Sequence, residues 1–322
     1  MTKRKNVVWN LTKLCPFGCT FCCVSATYVK GFKQVFSVND DTPVIESELS
    51  FNKQLQVIDQ LDAEKFRIDF SGGDVLINPR NIDLIILASE KFGAENIGLS
   101  IPGTFTTPNN LSKLTGRIND VEITMDTTPD INYSYRPLNY AEHASDAIAR
   151  LVDAGFFVGV QTVLRRENMF KETIKRLHKH LLLLGVKKWS FLKFAPVGRG
   201  YSKCENHPSD EEYRKFSDVI KHVTLNSMIE VHYQYLMPLS PARDFYCRAI
   251  KDSIGIAPDG TVSSCFWAFN QNGKPFDDVV LGKVPEDNIL DILKSEKARE
   301  WLSYGKTKNY CPLKKILRGG VI

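Results

Sequence analysis

No apolar run in the chain approaches membrane-spanning length: Leu181 to Leu184 is only four residues, where a transmembrane helix takes about 20. No secretion signal opens it either. Lys3-Arg4-Lys5 leads into Val7-Val8-Trp9, and Asn10 and Thr12 interrupt the apolar stretch too soon. A cytoplasmic location and no membrane partner are the resulting expectations. A strong charge of one sign is also missing. The net charge is +5 over 322 residues, without the dense basic stripe that marks a nucleic-acid partner. Lys3-Arg4-Lys5 and Lys314-Lys315 read as solvated ends, and an anionic substrate stays compatible. There is no internal repeat and no low-complexity segment. The balance of 43% hydrophobic and 25% charged residues is that of an ordinary globular protein and excludes wholesale disorder.

What the chain does have is cysteine, eight in all. Without a secretion signal these point to metal ligation or redox work rather than disulfides. Four lie within Cys15-Pro16-Phe17-Gly18-Cys19-Thr20-Phe21-Cys22-Cys23. Three thiolates at C-x3-C-x2-C on a short loop can hold three irons of a cubane cluster and leave the fourth open to an exogenous ligand. Gly18 lets the backbone turn tightly and Pro16 stiffens the entry. Zinc is the rival, but a structural zinc site takes a fourth protein ligand, and no suitable second pair lies close by in sequence. Buried structural cysteines are the remaining alternative, and they account poorly for so dense a group.

Hydrophobic periodicity predicts strands at Val7–Thr12, Phe66–Phe70, Asn96–Ile101, Val121–Asp126, Phe157–Leu164 and Trp189–Phe194. Helical stretches alternate with them, among them Ile82–Phe92, Ala141–Ala154 and Lys171–Leu184, the last two followed by Gly155 and Gly185 as C-terminal caps. Ser209 with Glu212 predicts a capping box opening a helix to about Thr224. Six strand–helix units fit an α/β fold, a partial (β/α)6 TIM-like barrel over residues 1–227. Such barrels carry their chemistry at the C-terminal ends of the strands. Cys15, Ser71-Gly72-Gly73-Asp74, Pro102-Gly103-Thr104, Asp126, Asn168 and Pro196-Val197-Gly198-Arg199 all fall there. From about Met228 the character changes: a strand-like run Ile229–Tyr235, a Pro-interrupted loop Met237–Pro241, a hairpin around Pro258-Asp259-Gly260, and an amphipathic helix from about Asp287 to Leu302. Residues 228–322 read as a small α+β module.

Cys15, Cys19, Phe21 and Cys22 after the first strand resemble the C-x3-C-x-aromatic-C loop of the radical S-adenosylmethionine (SAM) superfamily. The resemblance implies a 4Fe–4S cluster on Cys15, Cys19 and Cys22 whose open iron is chelated by the methionine moiety of SAM. One-electron reduction then yields methionine and a 5′-deoxyadenosyl radical that abstracts a substrate hydrogen, with a reductase such as flavodoxin or ferredoxin as donor. Cys23 falls outside the triad and is expected to be a structural thiol. Gly72-Gly73-Asp74 resembles the family's Gly-Gly-Glu stretch that meets the methionine amine, with a carboxylate one methylene shorter. Asp126, Asn168 and Arg199 sit where family members contact the cofactor, although a local turn cap is an equal alternative for such residues. Arg165-Arg166 offers a bidentate clamp for the cofactor carboxylate, or a solvated pair.

Cys247, Cys265 and Cys311 flank the hairpin and the following helix in an order that resembles the twitch or SPASM auxiliary-cluster modules of this superfamily. The resemblance implies a second 4Fe–4S cluster, which would staple so small a unit. The full pattern should continue with further cysteines, and position 314, where a twitch module closes its C-x2-C, is lysine. A fourth ligand would come from substrate, solvent or Cys204; three unrelated thiols in a metal-free module is the other possibility. Cys204 has three readings: hydrogen-atom donor to a substrate radical in an epimerisation, fourth auxiliary ligand, or bystander. The barrel begins near Val7 with no leader-binding domain before it, which favours a compact polar substrate such as a sugar or aminocyclitol, epimerised or dehydrogenated, over a peptide. The long stretch Val24–Glu48, with Tyr28, Lys30, Lys33 and Asp40-Asp41, is either a substrate lid or a surface loop. An iron–sulfur electron carrier or redox sensor is the non-enzymatic alternative.

Overall fold

A computed structural model describes residues 4–234, 237 and 246–317, and the side chains of all of these except 203–206. In chain order the strands are β1 (Lys5–Thr12), β2 (Leu14–Cys15), β3 (Thr27–Tyr28), β4 (Phe66–Gly72), β5 (Ile97–Ile101), β6 (Asp120–Thr124), β7 (Val158–Leu164), β8 (Lys188–Lys193), β9 (Glu230–Tyr233), β10 (Ser253–Ile256), β11 (Thr261–Ser263) and β12 (Val280–Lys283). The helices are α1 (Phe51–Gln60), α2 (Pro79–Phe92), α3 (Pro108–Leu114), α4 (Tyr140–Asp153), α5 (Lys171–Leu183), α6 (Asp210–Val223), α7 (Ile289–Ile292), α8 (Glu296–Tyr304) and α9 (Pro312–Leu317).

All but β2 and β3 form one sheet, in the order β12-β11-β10-β1-β4-β5-β6-β7-β8-β9. From β10 across to β9 every pair is parallel, whereas β10, β11 and β12 run antiparallel. The parallel part is the expected partial barrel, and all six predicted strands are in it. Alternation along the strands gives the sheet two different faces. Val7, Trp9 and Leu11 of β1, Phe66, Ile68 and Phe70 of β4, and Val121 and Ile123 of β6 are buried in the core. Their neighbours Asn6, Asn10, Asp69, Ser71 and Glu122 line the concave side. A parallel sheet covered by packed helices on both faces reads apolar throughout; here one face is polar and encloses a cleft.

The helix ends are where the sequence put them. Gly155 and Gly185 have φ of 82° and 77°, the left-handed region that only glycine enters at no steric cost. The Ser209–Glu212 capping box is formed in both directions. Two elements differ from expectation. The run assigned to the module, Ile229–Tyr235, appears as β9 beside β8, so the barrel's sheet extends past residue 227; Tyr235 lies outside the described residues, as does Met237–Pro241 apart from Met237. The helix expected from Asp287 to Leu302 is split into α7 and α8, because the Ser295 side chain accepts from Ala298 N and caps a new start. No helix among the described residues is long and apolar enough to cross a membrane.

Candidate active site at the barrel mouth

The loop that leaves β1 is closed into a ring by its own backbone. β2 pairs in parallel with β3, with Thr27 N donating to Lys13 O at 2.6 Å and Val29 N to Cys15 O at 2.9 Å. Within the ring Cys15, Cys19, Cys22 and Cys23 all face one cleft of about 370 Å³, which Phe21 also lines. Burial pushes the Cys15 thiol up, and Cys19 and Cys22 stand close enough to push it further. Burial likewise raises Cys19, opposed by the nearby Arg136 cation. Ala26 N donates to Cys22 Sγ at 3.3 Å, and Arg136 Nη1 to Cys19 Sγ at 3.2 Å. These are the donors a thiolate ligand wants. Cys23, expected to be structural, also reaches the cleft wall, its thiol pushed up to about 12 by burial. Among the described residues no three His, Cys, Asp or Glu side chains converge on one metal ion; a cubane, whose iron corners are spread wider, asks for no such convergence.

Gly72 and Gly73 are required by packing. A Cβ on Gly72 would sit 2.5 Å from Thr12 O, at a φ of 131°, and one on Gly73 would sit 2.2 Å from Leu14 O. The end of β4 therefore lies against the backbone that leads into the cysteine loop, and Gly73 N and Asp74 N are spent on Thr12 O and Leu14 O, at 2.7 and 2.8 Å. Both glycines line the cleft. Asp74 is not among the lining residues: it is fully buried, and its Oδ1 accepts from Leu76 N to cap the turn Val75–Ile77. Burial pushes its carboxyl from the ordinary 3.8 up to about 7, against the opposing pull of the Leu76 and Thr104 donors. Ionised Asp74 therefore costs stability. The cost is absent below pH 3.8, grows as pH rises, and is complete above about 7, where it reaches at most about 4 kcal/mol. Asp74→Asn should thus gain melting temperature over the parent at pH 8 and lose that gain at pH 4, in thermal scans without SAM. A gain that does not change with pH would show the carboxyl to be uncharged or solvated.

The remaining predicted cofactor residues divide sharply. Asn168 is wholly buried and used locally, its Oδ1 accepting from Arg165 N and its Nδ2 donating to Val163 O. Asp126 is buried with Oδ1 on Val163 N and Oδ2 on Arg136 Nε, at 2.9 and 2.7 Å. Arg199 spends Nε on Cys19 O and Nη1 on Ala26 O, which clamps the cysteine ring from the end of β8; its Nη2 has no partner. Gly198 beside it has a φ of 55°, and a Cβ there would meet Cys23 O at 2.3 Å. Arg165 is 1% exposed and caged by Phe21, Tyr135 and Phe194, at 4.6 to 5.0 Å. It bonds Glu167, yet its Nε and Nη1, Glu167 Oε2 and the Tyr135 hydroxyl are buried without partners. Arg166 pairs with Glu212 at the surface. The Cys204 side chain lies outside the described residues. Arg136, unmarked in the sequence, lines the cleft. Its ion pair with Asp126 is buried, so removing one partner would cost about 3–5 kcal/mol.

The three C-terminal cysteines lie within electrostatic reach of one another. Cys265 lies within the electrostatic reach of both Cys311 and Cys247, and burial pushes it up to about 12. Cys265 follows β11, and the next two residues, Phe266 and Trp267, line the cleft. Lys193 at the end of β8 also lines it and feels Cys311 and Lys314 of the module. The stretch 24–48 is pinned at intervals: Phe32 packs on Phe17 and His143, Val35 N bonds Ile77 O, and Asp40 pairs with Arg80 of α2.

The chain thus pairs a parallel partial barrel, with a group of thiols after its first strand, with a second thiol group in the region that extends the same sheet. The chain belongs to the radical SAM superfamily, whose family model matches residues 9–182. A second model, the SPASM iron–sulfur cluster-binding domain, matches residues 247–313. A 4Fe–4S cluster and SAM are therefore its cofactors, with auxiliary iron–sulfur binding in the C-terminal region. No curated protein matches the chain in a sequence search. Among solved structures, Streptococcus suis SuiB bound to SAM aligns with a TM-score of 0.70 at 14% identity, over 92% of this chain and 66% of that one. SuiB bound to its precursor peptide SuiA aligns with the same TM-score at 13% identity and the same coverage. Native anSMEcpe with bound SAM and a Cp18Cys peptide aligns at 0.65 and 14%, over 93% and 82%. Identities this low establish the fold alone, and the chain spans just under two thirds of the SuiB chains.

Proposed function

We propose that this protein cleaves SAM reductively at the Cys15–Cys19–Cys22 loop and uses the product to abstract hydrogen from a compact polar substrate, which it epimerises or dehydrogenates. The observation that carries the reading is the cleft. Asn6, Asn10, Ser71, Ser100 and Gln161 give its mixed lining a polar set, and Phe266 and Trp267 of the module line it as well. A volume of about 370 Å³ at the low end of small-molecule sites has to admit cofactor and substrate together, which favours a small metabolite or one side chain of a peptide.

The residues fit the cofactors. Three mutually close thiols with N–H donors on two of their sulfurs suit a cubane with one open iron. The partnerless donors of buried Arg165 are those a carboxylate would satisfy, behind the Phe21 ring on the cleft wall. Ser71 and the carbonyls of Gly72 and Gly73 are acceptors for an ammonium, a role that the turned-away Asp74 does not share. When bound, cluster and SAM supply one-electron cleavage of the sulfonium and a hydrogen-abstracting species. The chain itself orients the methionine end, keeps water from the reacting carbon with Phe21, Phe194 and Trp267, and holds the thiol ring rigid through Arg199. An external one-electron reductant of the flavodoxin or ferredoxin type supplies the electron.

The test is incubation of iron-loaded protein with SAM, dithionite and a panel of aminocyclitols, sugars and short peptides in deuterated water. 5′-Deoxyadenosine should form, and the turned-over compound should be a small polyhydroxylated or amino compound. One solvent deuterium at an inverted carbon assigns epimerisation, and a two-hydrogen mass loss assigns dehydrogenation. Under epimerisation, Cys204→Ala should keep 5′-deoxyadenosine and lose inversion; loss of inversion in Cys23→Ala instead would give the donor role to the thiol on the cleft wall. Turnover of peptides alone would replace the small-substrate reading with a peptide-modifying one, and no 5′-deoxyadenosine under any condition would leave an electron carrier.

A further inference from the structure

Arg136 lies on the loop between β6 and α4, and four contacts fix its guanidinium. Nη1 donates to Cys19 Sγ at 3.2 Å and Nε to Asp126 Oδ2 at 2.7 Å. The Phe21 and Tyr140 rings lie 4.5 and 4.4 Å from its central carbon. The side chain is 12% exposed and that of Asp126 1%, so little water screens either charge. A surface arginine would spread its charge over many orientations; this one points its positive end at one sulfur.

We propose that Arg136, oriented by Asp126, sets the reduction potential of the cluster held by Cys15, Cys19 and Cys22 through its bond to the Cys19 sulfur. The inference rests on the reading that these three thiols ligate the cluster. Reduction adds one electron, from an external one-electron reductant, and takes the cluster from its 2+ to its 1+ state; no proton moves and Arg136 stays charged. A fixed cation and an N–H donor at a ligand sulfur both favour the more negative, reduced form and raise the potential. Asp126 stands farther from the sulfur and acts in the opposite sense, so the pair is a dipole with its positive end on the cluster. Arg136 is thus a positioning residue for electron entry, and its effect precedes any contact with substrate.

The experiment is potentiometric EPR of the iron-loaded protein without SAM, on the signal that SAM perturbs when added afterwards and that persists when Cys247, Cys265 and Cys311 are all changed to Ala, which separates it from the auxiliary cluster. Asp126→Asn keeps the cation, removes the anion and should move the midpoint to more positive potential. Asp126→Asn with Arg136→Met leaves no unpaired buried charge. Relative to Asp126→Asn it should shift the reduction equilibrium about tenfold towards the oxidised cluster, about 59 mV for a one-electron couple. Arg136→Lys, too short to bond Asp126 and Cys19 together, should shift the parent in the same direction by less. Equal midpoints for the single and double Asp126 variants, at unchanged iron content, overturn the proposal; weaker SAM binding at an unchanged midpoint would assign Arg136 to the cofactor instead. If the double variant loads no iron, an unshifted midpoint in loaded Arg136→Lys overturns it equally. A SAM-responsive signal that survives loss of all three thiols would sink the underlying ligand assignment instead.

Discussion

Changing Cys15, Cys19 and Cys22 together to Ala is expected to leave about four of about eight irons and no detectable 5′-deoxyadenosine. The iron count follows from the two separate thiol groups, one on the ring after β1 and one in the 247–313 region. Loss of cleavage follows because the one thiol left on the loop, Cys23, cannot alone replace three thiolates, and Arg136 and Asp126 beside it are committed to each other. The variant should still fold. Its ring is closed by backbone bonds from Thr27 and Val29 and by the Arg199 clamp on Cys19 O and Ala26 O, none of which needs a thiol. Trading a buried sulfur for hydrogen costs about 1 kcal/mol per site, the scale of a buried methylene. Circular dichroism and a melt on the same sample separate the two effects. 5′-Deoxyadenosine from a folded triple variant would move the cleavage site elsewhere.

Much of this architecture could be read in advance because one face of each barrel strand is apolar and the other polar. Val7, Trp9 and Leu11 alternate with Asn6, Val8 and Asn10, and that period of two signals a strand whichever way it faces. The cysteine spacing was equally legible, since three ligands on one loop need no knowledge of the rest of the chain. Destinations of single side chains were not. Asn168 and Asp126 end or follow strands as cofactor ligands do, yet Asn168 is absorbed by neighbouring backbone groups and Asp126 by Val163 N and the Arg136 guanidinium, an outcome composition cannot distinguish from ligation. Arg136 carried no signal at all: its partners are 10 and 117 residues away, and the loop 125–139 has no period. The module's attachment was hidden for a related reason. A hairpin predicts its own pairing from its turn, but not that β10 will add in parallel to β1, 247 residues earlier in register.

That attachment decides what happens when Cys247, Cys265 and Cys311 are all changed to Ala. The remaining iron should be lost, and because cluster binding is folding energy for a small unit, part of the C-terminal region should loosen. The sheet limits how much. Ile254, Ile256 and Val262 are fully buried, β10 is bonded along β1, and Gly260 N–H and C=O are tied to Ala257 and Val284, so β10–β12 are held by the barrel with or without a cluster. β9 belongs to the barrel outright. The helices after them have less: α7 and α8 bury only Ile289, Ile292, Ala298 and Trp301, and α9 Pro312, Leu313 and Leu317, little apolar area to hold three short helices against the entropy of ordering them. Hydrogen exchange should therefore rise steeply across α8 and α9 and around Cys247, while amides of β9, β10 and β11 stay protected. SAM cleavage at the first cluster should persist at a reduced yield, since Phe266 and Trp267 lose their anchor at Cys265 and the cleft opens on that side. Uniform exchange from residue 230 onward would mean that the cluster holds the whole extension, and an unchanged iron count would mean that the three thiols hold none.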